Sequence, residues 1–331
     1  MQKLMKIIND ELSALSSEST AIIARFYWAD KIFYRLNSGF SNLEYSVRAD
    51  NDTLFPISSM TKQFTAAVIY KLQKQGLLDF QNYINYYYPQ LHDLTKKITI
   101  KHLLDHTSGL TDPYLNAQNC QTYNLTNKAV LEIIYQQAEL LFTPGEKFHY
   151  CNSNYVLLSQ IAEKVSGKKF SNLLDELIFK PLKMRDSLLY DKRYVIKNRA
   201  YGYRKKAQNK YYTTDLLWLS YGDGGIFSSI KDLQKWYFAC RDNLSFRAAI
   251  LDSEELRSEA KLRYSLGWFI VGRDDCEMLY HLGGDPGFGS IIAYSPGKDF
   301  GFIILTNLDE AWKNLEKLRK NIYLHFAESY S

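Results

Sequence analysis

Leu4, Ile8, Leu12 and Leu15 repeat at the spacing of a helix that buries one face. The pattern then becomes strand-like. "AIIARFYWADKIFYRLNSGF" reads as two strands that turn at Ala29-Asp30. A helical pattern returns from about Ser59 to Leu78, with Gly76 near its end as a stop. Residues 80 to 200 stay helix-rich, through "TIKHLLDHTSGL", "NKAVLEIIYQQAELL", "NSNYVLLSQIAEKVSG" and "SNLLDELIFKPL". The last third reverts to strands: "YSLGWFIV", "CEMLYHLGG", "FGSIIAYSP" and "FGFIILTN". A final helix is expected from about Asp309 to Tyr330, with Trp312, Leu315, Ile322 and Phe326 on one side.

Strands at both ends with helices between them predict an α+β fold. Residues 1–79 and 201–331 would form an antiparallel sheet flanked by the terminal helices, and 80–200 a helical lobe inserted between them. There is no repeat and no Pro/Gly-rich linker, so 1–331 reads as a single domain.

Composition narrows the class. The 331 residues are 46% hydrophobic and 23% charged, as in a globular protein with a sizeable core. The net charge of +5 is scattered; its densest run, "YRKKAQNKYY" (Tyr203 to Tyr212), reads as a solvated loop without a nucleic-acid motif. Among the 26 tyrosines, the cluster "YINYYYPQ" reads as half-buried packing. Cys120, Cys151, Cys240 and Cys276 form no CxxC, which points to reduced thiols. The N-terminal stretch lacks a signal-peptide pattern, because Asp10 and Glu11 break its short apolar run. No stretch is apolar enough to span a membrane. The expectation is a cytoplasmic protein with no integral membrane segment and no nucleic-acid partner, and with no signal for any oligomeric state.

The candidate chemistry begins in "FPISSMTKQFTAAVIYKLQKQG" (Phe55 to Gly76). A serine hydroxyl is a weak nucleophile and needs a base beside it. Positions i and i+3 of a helix share a face, so Ser59 pairs with Lys62, whereas Ser58 pairs with Thr61, which cannot be a base. Ser59 also stands at a helix start, where developing negative charge is favoured. The same four residues equally describe a serine N-cap beside a surface lysine. Ser58 reads as capping or entry-loop material.

Two further stretches bear on that ambiguity. Tyr150-Cys151-Asn152 lies just ahead of an amphipathic helix, and "YHLGGDPGFGS" (Tyr280 to Ser290) ends a strand. The order SxxK, YxN and then HxG resembles the class C β-lactamase family of serine hydrolases, which includes penicillin-binding esterases, D-aminopeptidases and D,D-carboxypeptidases. "KHLLDHTSGL", "GDGGIFSSIKDLQKW" and "SLGWFI" are also similar to that family, and the resemblance runs from about residue 20 to 310.

The resemblance implies a β-lactamase/transpeptidase-like fold and a mechanism without metal or cofactor. Ser59 would attack a carbonyl and form an acyl-enzyme. Lys62 and Tyr150 would move its proton and later activate water; the sequence leaves open which of them is the base. A lysine ammonium ~4 Å away would stabilise a tyrosinate by roughly 4 kcal/mol at an effective dielectric of ~20. Asn152 would bond a substrate amide. The backbone N–H groups of Ser59 and Gly284 would form the oxyanion hole beside Gly283. His281 would face the cleft.

Two departures concern the substrate, a small molecule or peptide. His281-Leu282-Gly283 stands where many relatives carry KTG, so a carboxylate-binding hydroxyl is missing and the cation depends on protonation. This favours an ester or small amide/peptide bond. The alternatives are a true β-lactamase or D,D-carboxypeptidase, and a non-catalytic binding protein on the same fold. Cys151, where serine is usual, reads as a small apolar substitute.

Other signals carry less. "HLLDH" (His102 to His106) has the spacing of a zinc helix, but Leu103 stands where a zincin needs Glu. "GGDPGFG" lacks the Lys-Ser/Thr of a phosphate loop. His92, His149 and His325 have no evident partners. Asp223, in "YGDGGIFSS", lies in a stretch that relatives use near the cleft, and also suits a turn.

Overall fold

The computed structural model describes residues 1–15, 19–91, 96–114, 125–206, 210–214, 219–252 and 262–328. His92, Cys120, Tyr330 and part of the basic run near Tyr203 lie outside these residues.

A seven-stranded antiparallel sheet organises the molecule. Its order is Arg263–Ser265, Trp268–Val271, Met278–Asp285, Phe288–Ser295, Phe300–Thr306, Ile22–Trp28 and Lys31–Ser38. Successive side chains in a strand point to opposite faces, so the apolar central strands have two faces to bury. Ile22, Ala24 and Phe26 pack under the terminal helices Gln2–Leu15 and Ala311–Ala327. Ile23 and Tyr27 face the other way, in one cluster with Phe64 of helix Thr61–Lys74 and Trp236 of helix Ile230–Asp242.

That second cluster runs on through Leu104, Tyr155, Leu158 and Phe170. The helical segments Ile100–Leu104, Asn127–Gln136, Asn152–Ser166 and Phe170–Leu174 therefore share a core with the sheet. Among the described residues, no helix is long and apolar enough to cross a membrane.

Three local readings change. The segment after Pro56 enters through a 3₁₀ turn, Ser58–Met60, and its α-helix ends at Lys74, short of Leu78. "YSLGWFIV" is a hairpin that turns at Leu266-Gly267, not one strand. Gly267 has φ +83°, and a Cβ there would lie 2.6 Å from Gln63 Cα, so only glycine lets this turn rest on the central helix. Finally, Ala311, Leu315, Leu318 and Ile322 form the inward stripe of the last helix, while Trp312 is 43% exposed. One residue along a helix is about 100° around it, and that rotates Trp312 off the stripe.

Candidate active site

The central helix is packed on all sides. Every residue from Thr61 to Ile69 is buried. Phe55 and Pro56 pair with Ser228 and Phe227, and Ile57 N donates to Ile226 O at 2.9 Å, which anchors the chain just ahead of the serines. Thr65 Oγ1 donates to Gly222 O at 2.7 Å and ties the helix to the loop that carries Asp223.

Neither serine caps the helix through its side chain. Ser58 has φ +52°, and its hydroxyl donates to Asp285 Oδ2 at 2.7 Å. Lys62 is not a surface residue, being completely buried. Its Nζ donates to Ser59 Oγ (3.1 Å), Asn152 Oδ1 (2.8 Å) and the backbone oxygen of Asp223 (2.9 Å). A buried ammonium is tolerable only with such partners. The reading as a capped helix with an exposed lysine therefore fails on burial and on hydrogen bonding.

Asn152 opens the helix Asn152–Ser166 and is fixed from behind. Its backbone N and its Nδ2 both donate to Asp112 Oδ2, at 2.8 and 2.9 Å, and Tyr114 N donates to Asp112 Oδ1. One amide hydrogen of Asn152 is thereby committed to Asp112, and its oxygen to Lys62.

Tyr150 presents its ring to Lys62. Nζ lies 4.8 Å from the ring centroid, a cation–π distance. Among the described residues no hydrogen bond from the Tyr150 hydroxyl to Ser59 or Lys62 is formed. The ring is held by His106, with centroids 4.4 Å apart, and by Phe269, stacked at 6.0 Å. His106 has φ +58° and is completely buried. Its Nδ1 accepts from Cys151 N (3.1 Å) and faces Asn154 Nδ2 (3.0 Å), which places the ring proton on Nε2. Burial pushes its pKa well down, and the charge of Lys62 adds to the effect. His106 thus sets the approach of the Tyr150-Cys151-Asn152 segment. Sequence reasoning weighed it only as a zinc ligand. His102, the other half of that spacing, caps helix Ile100–Leu104 in reciprocal bonds with Thr99. Among the described residues no group of His, Cys, Asp and Glu could hold a metal. Cys151 is buried, with its thiol pushed up to about 12 by desolvation, which suits an inert apolar residue.

His281 is a correction. It does not face the cleft; it is 1% exposed on strand Met278–Asp285. Its Nδ1 donates to Leu282 O (2.6 Å), and its Nε2 lies 3.2 Å from the Tyr264 hydroxyl. Burial, and next the charge of Lys62, push its pKa down to about 3. The conditional cation expected at this position is a neutral packing residue at ordinary pH.

Gly283 lets the same strand press against the entry segment: a Cβ there would lie 2.3 Å from Ile57 O and 2.2 Å from Ser290 Oγ. Gly284 continues the strand into the cleft beside Ser59. The cleft encloses about 150 Å³, and Ser59, Asn152, Tyr114, Asp223, Gly284 and Asp285 are on its walls. Asp223 is more than a turn residue. It is 6% exposed, its Oδ2 accepts from the Tyr114 hydroxyl (2.8 Å), and its backbone oxygen takes Lys62. Of the expected site residues, Ser59, Asn152 and Gly284 line the cleft; the structure sets Lys62 against Ser59, the Tyr150 ring against Lys62 and Gly283 against Ile57. It adds Asp112, Asp223 and His106, and it withdraws His281 into the core.

This fold and site have known counterparts. The family model described as Beta-lactamase matches residues 24–325, and the chain belongs to that family. It is 26% identical over 309 residues to Protein flp of Staphylococcus aureus (strain MW2), covering 89% of this chain and 61% of that protein. It is 26% identical over 301 residues to Penicillin-binding protein 4* of Bacillus subtilis (strain 168), covering 84% of this chain and 66% of that one. The chain thus spans about 61 to 66% of the length of these two relatives. Among solved structures, a penicillin binding protein from Bacillus halodurans superposes with a TM-score of 0.80 at 23% identity, covering 96% of this chain and 98% of that one. A D-stereospecific amidohydrolase from Streptomyces sp. superposes at 0.74 with 22% identity, covering 94% of each chain. These structural likenesses establish the β-lactamase-like fold.

Proposed function

We propose that the protein is a serine hydrolase that works through an acyl-enzyme on Ser59. The observation that carries this reading is the 3.1 Å contact between the buried Lys62 Nζ and Ser59 Oγ. Acting as the base, Lys62 keeps its N–H bonds to Asn152 Oδ1 and Asp223 O and turns its third position to the Ser59 hydroxyl. Ser59 Oγ adds to the substrate carbonyl as its proton passes to Lys62. The backbone N–H groups of Ser59 and Gly284 take the oxyanion. The tetrahedral adduct collapses, the leaving group departs with the proton from Lys62, and water cleaves the ester by the reverse sequence. The Tyr150 ring face stabilises the ammonium that forms during each addition.

An ester or small amide is the favoured substrate, since a buried neutral His281 offers no cation to a β-lactam or D-alanine carboxylate. A fluorophosphonate probe should modify the wild-type protein at Ser59 and leave Ser59→Ala unmodified; an unlabelled wild type sinks the reading. Efficient hydrolysis of a chromogenic cephalosporin, with slow turnover of a nitrophenyl ester, would reverse the substrate preference.

A further inference from the structure

In the mechanism above, the backbone N–H groups that take the oxyanion come from two segments that do not pair as strands. Ser59 follows the entry segment 56–58, and Gly284 belongs to strand Met278–Asp285. Among the described residues no backbone hydrogen bond joins the two segments. Side chains join them instead. Ser58 donates to Asp285 Oδ2 at 2.7 Å, which ties the residue before Ser59 to the residue after Gly284. Ser290, opposite Gly283 on strand Phe288–Ser295, donates to Ile57 O at 3.0 Å. It uses the space that Gly283 leaves, since a Cβ there would lie 2.2 Å from Ser290 Oγ and 3.1 Å from Ser58 Cβ. One bond therefore anchors the strand just beyond Gly284, and the other acts just before it.

The backbone of Ser58 points the same way. At φ +52° it holds a conformation that residues with a Cβ seldom adopt, and its hydroxyl caps no helix. Such a conformation persists where its surroundings hold it, and it gathers at functional sites. Both serines are buried, so the hydroxyls cannot exchange these partners for solvent.

We propose that Ser58 and Ser290 are positioning residues that set the spacing of the oxyanion hole, Ser58 through Asp285 and Ser290 through Ile57. This rests on the hydrolase reading of Ser59 and adds the device that holds its two N–H donors in register. Neither hydroxyl has to touch the reacting atoms. An oxyanion hole works only while both donors stay about 2.7–3.1 Å from the place the anion will occupy, so a slip between the segments weakens transition-state binding.

Ser58→Gly tests this without disturbing the backbone, because glycine adopts φ +52° freely and only the hydroxymethyl group is lost. Turnover of a nitrophenyl ester is measured per active site, with the sites counted by fluorophosphonate labelling of Ser59. The Ki of a boronate, which places a tetrahedral anion in the hole, is measured beside it. Ser58→Gly and Ser290→Ala should each lower kcat/KM by ~10-fold or more and raise the boronate Ki by a similar factor. Asp285 makes other contacts as well, so a double-mutant cycle isolates its bond to Ser58. In an Asp285→Ala background, Ser58→Gly should change kcat/KM by less than ~2-fold. A purely structural role would lower the melting temperature and the number of active sites, and leave turnover per site and Ki unchanged. A variant whose kcat/KM and Ki stay within ~2-fold of wild type overturns the role of that serine. An equal loss from Ser58→Gly with and without Asp285 overturns the coupling. In both cases a wild type that labels at Ser59 still supports the hydrolase; a wild type that does not label overturns the hydrolase reading itself.

Discussion

Lys62 Nζ, completely buried, stands 3.1 Å from the Oγ of Ser59 on the cleft wall, three residues earlier in the chain, and is held there by Asn152 and by the backbone of Asp223. Two neutral oxygens fix the amine and leave its third position to the serine. Lys62→Met should keep the volume and lower kcat/KM by ~10²–10⁴-fold, the usual contribution of a positioned general base. Lys62→Arg should be no better, since a guanidinium does not give up its proton. Steady-state kinetics on a nitrophenyl ester, with melting temperatures as the control for folding, make the comparison. A Lys62→Met protein within about twofold of wild type would remove Lys62 from the mechanism.

Asp112 acts one step behind the chemistry. Its Oδ2 receives two bonds from Asn152 and its Oδ1 one from Tyr114. Asp112→Ala leaves those donors facing an empty space, at ~1–3 kcal/mol for each that stays buried and unpaired. A lower melting temperature and a kcat/KM reduced by ~10-fold or more are expected, because Asn152 loses the group that aims it at Lys62. Asp112→Asn keeps one acceptor oxygen and should recover part of both losses.

The two glycines of the site should respond differently to alanine. At Gly283 the added methyl meets the backbone oxygen of Ile57, which cannot move without moving Ser58 and Ser59. At Gly284 the nearest atoms, at 3.1 Å, belong to the half-exposed Trp312 side chain, which can swing away. Gly283→Ala should cost ~1–3 kcal/mol in denaturant unfolding, in the range of overpacked cores, and Gly284→Ala clearly less. Similar costs at both would contradict the close packing of Ile57 on this strand.

His281 sets a pH dependence of stability. Its folded pKa is near 3, below the ~6.5 of an unfolded histidine, so the unfolded chain binds the proton first. Its contribution to stability is fully present above ~6.5 and is lost as pH falls toward 3. His106, pushed the same way, adds to the slope. The melting temperature should fall through this window, and His281→Gln should flatten the fall. A wild-type profile that is level between about pH 6.5 and 4 would show that the ring is not buried in its neutral form.

Much of the fold was legible because helix and strand periods are local properties. Leu4 to Leu15, the two strands meeting at Ala29-Asp30 and the apolar strands of the last third needed only their own spacing to be read. The i, i+3 relation of Ser59 and Lys62 is equally local, and so was visible. Trp312 and the hairpin at Leu266-Gly267 were misread because their assignment depends on what lies opposite them, namely Gly284 and the backbone of Gln63.

Local pattern was enough to fix the class of architecture, the pairing of a hydroxyl with an amine, and the order of the three motifs. The electrostatics came only with the tertiary contacts. Whether a histidine is a cation in a cleft or a neutral ring in a core depends on which surfaces close over it, and His281 went to the core. Whether an aspartate is a turn residue or a wall of the site depends on segments that meet only in the folded chain. Asp223 and Asp285 meet on the wall of the Ser59 cleft in that way, with Asp112 behind Asn152, and burial and partners, which no local pattern records, fix their positions.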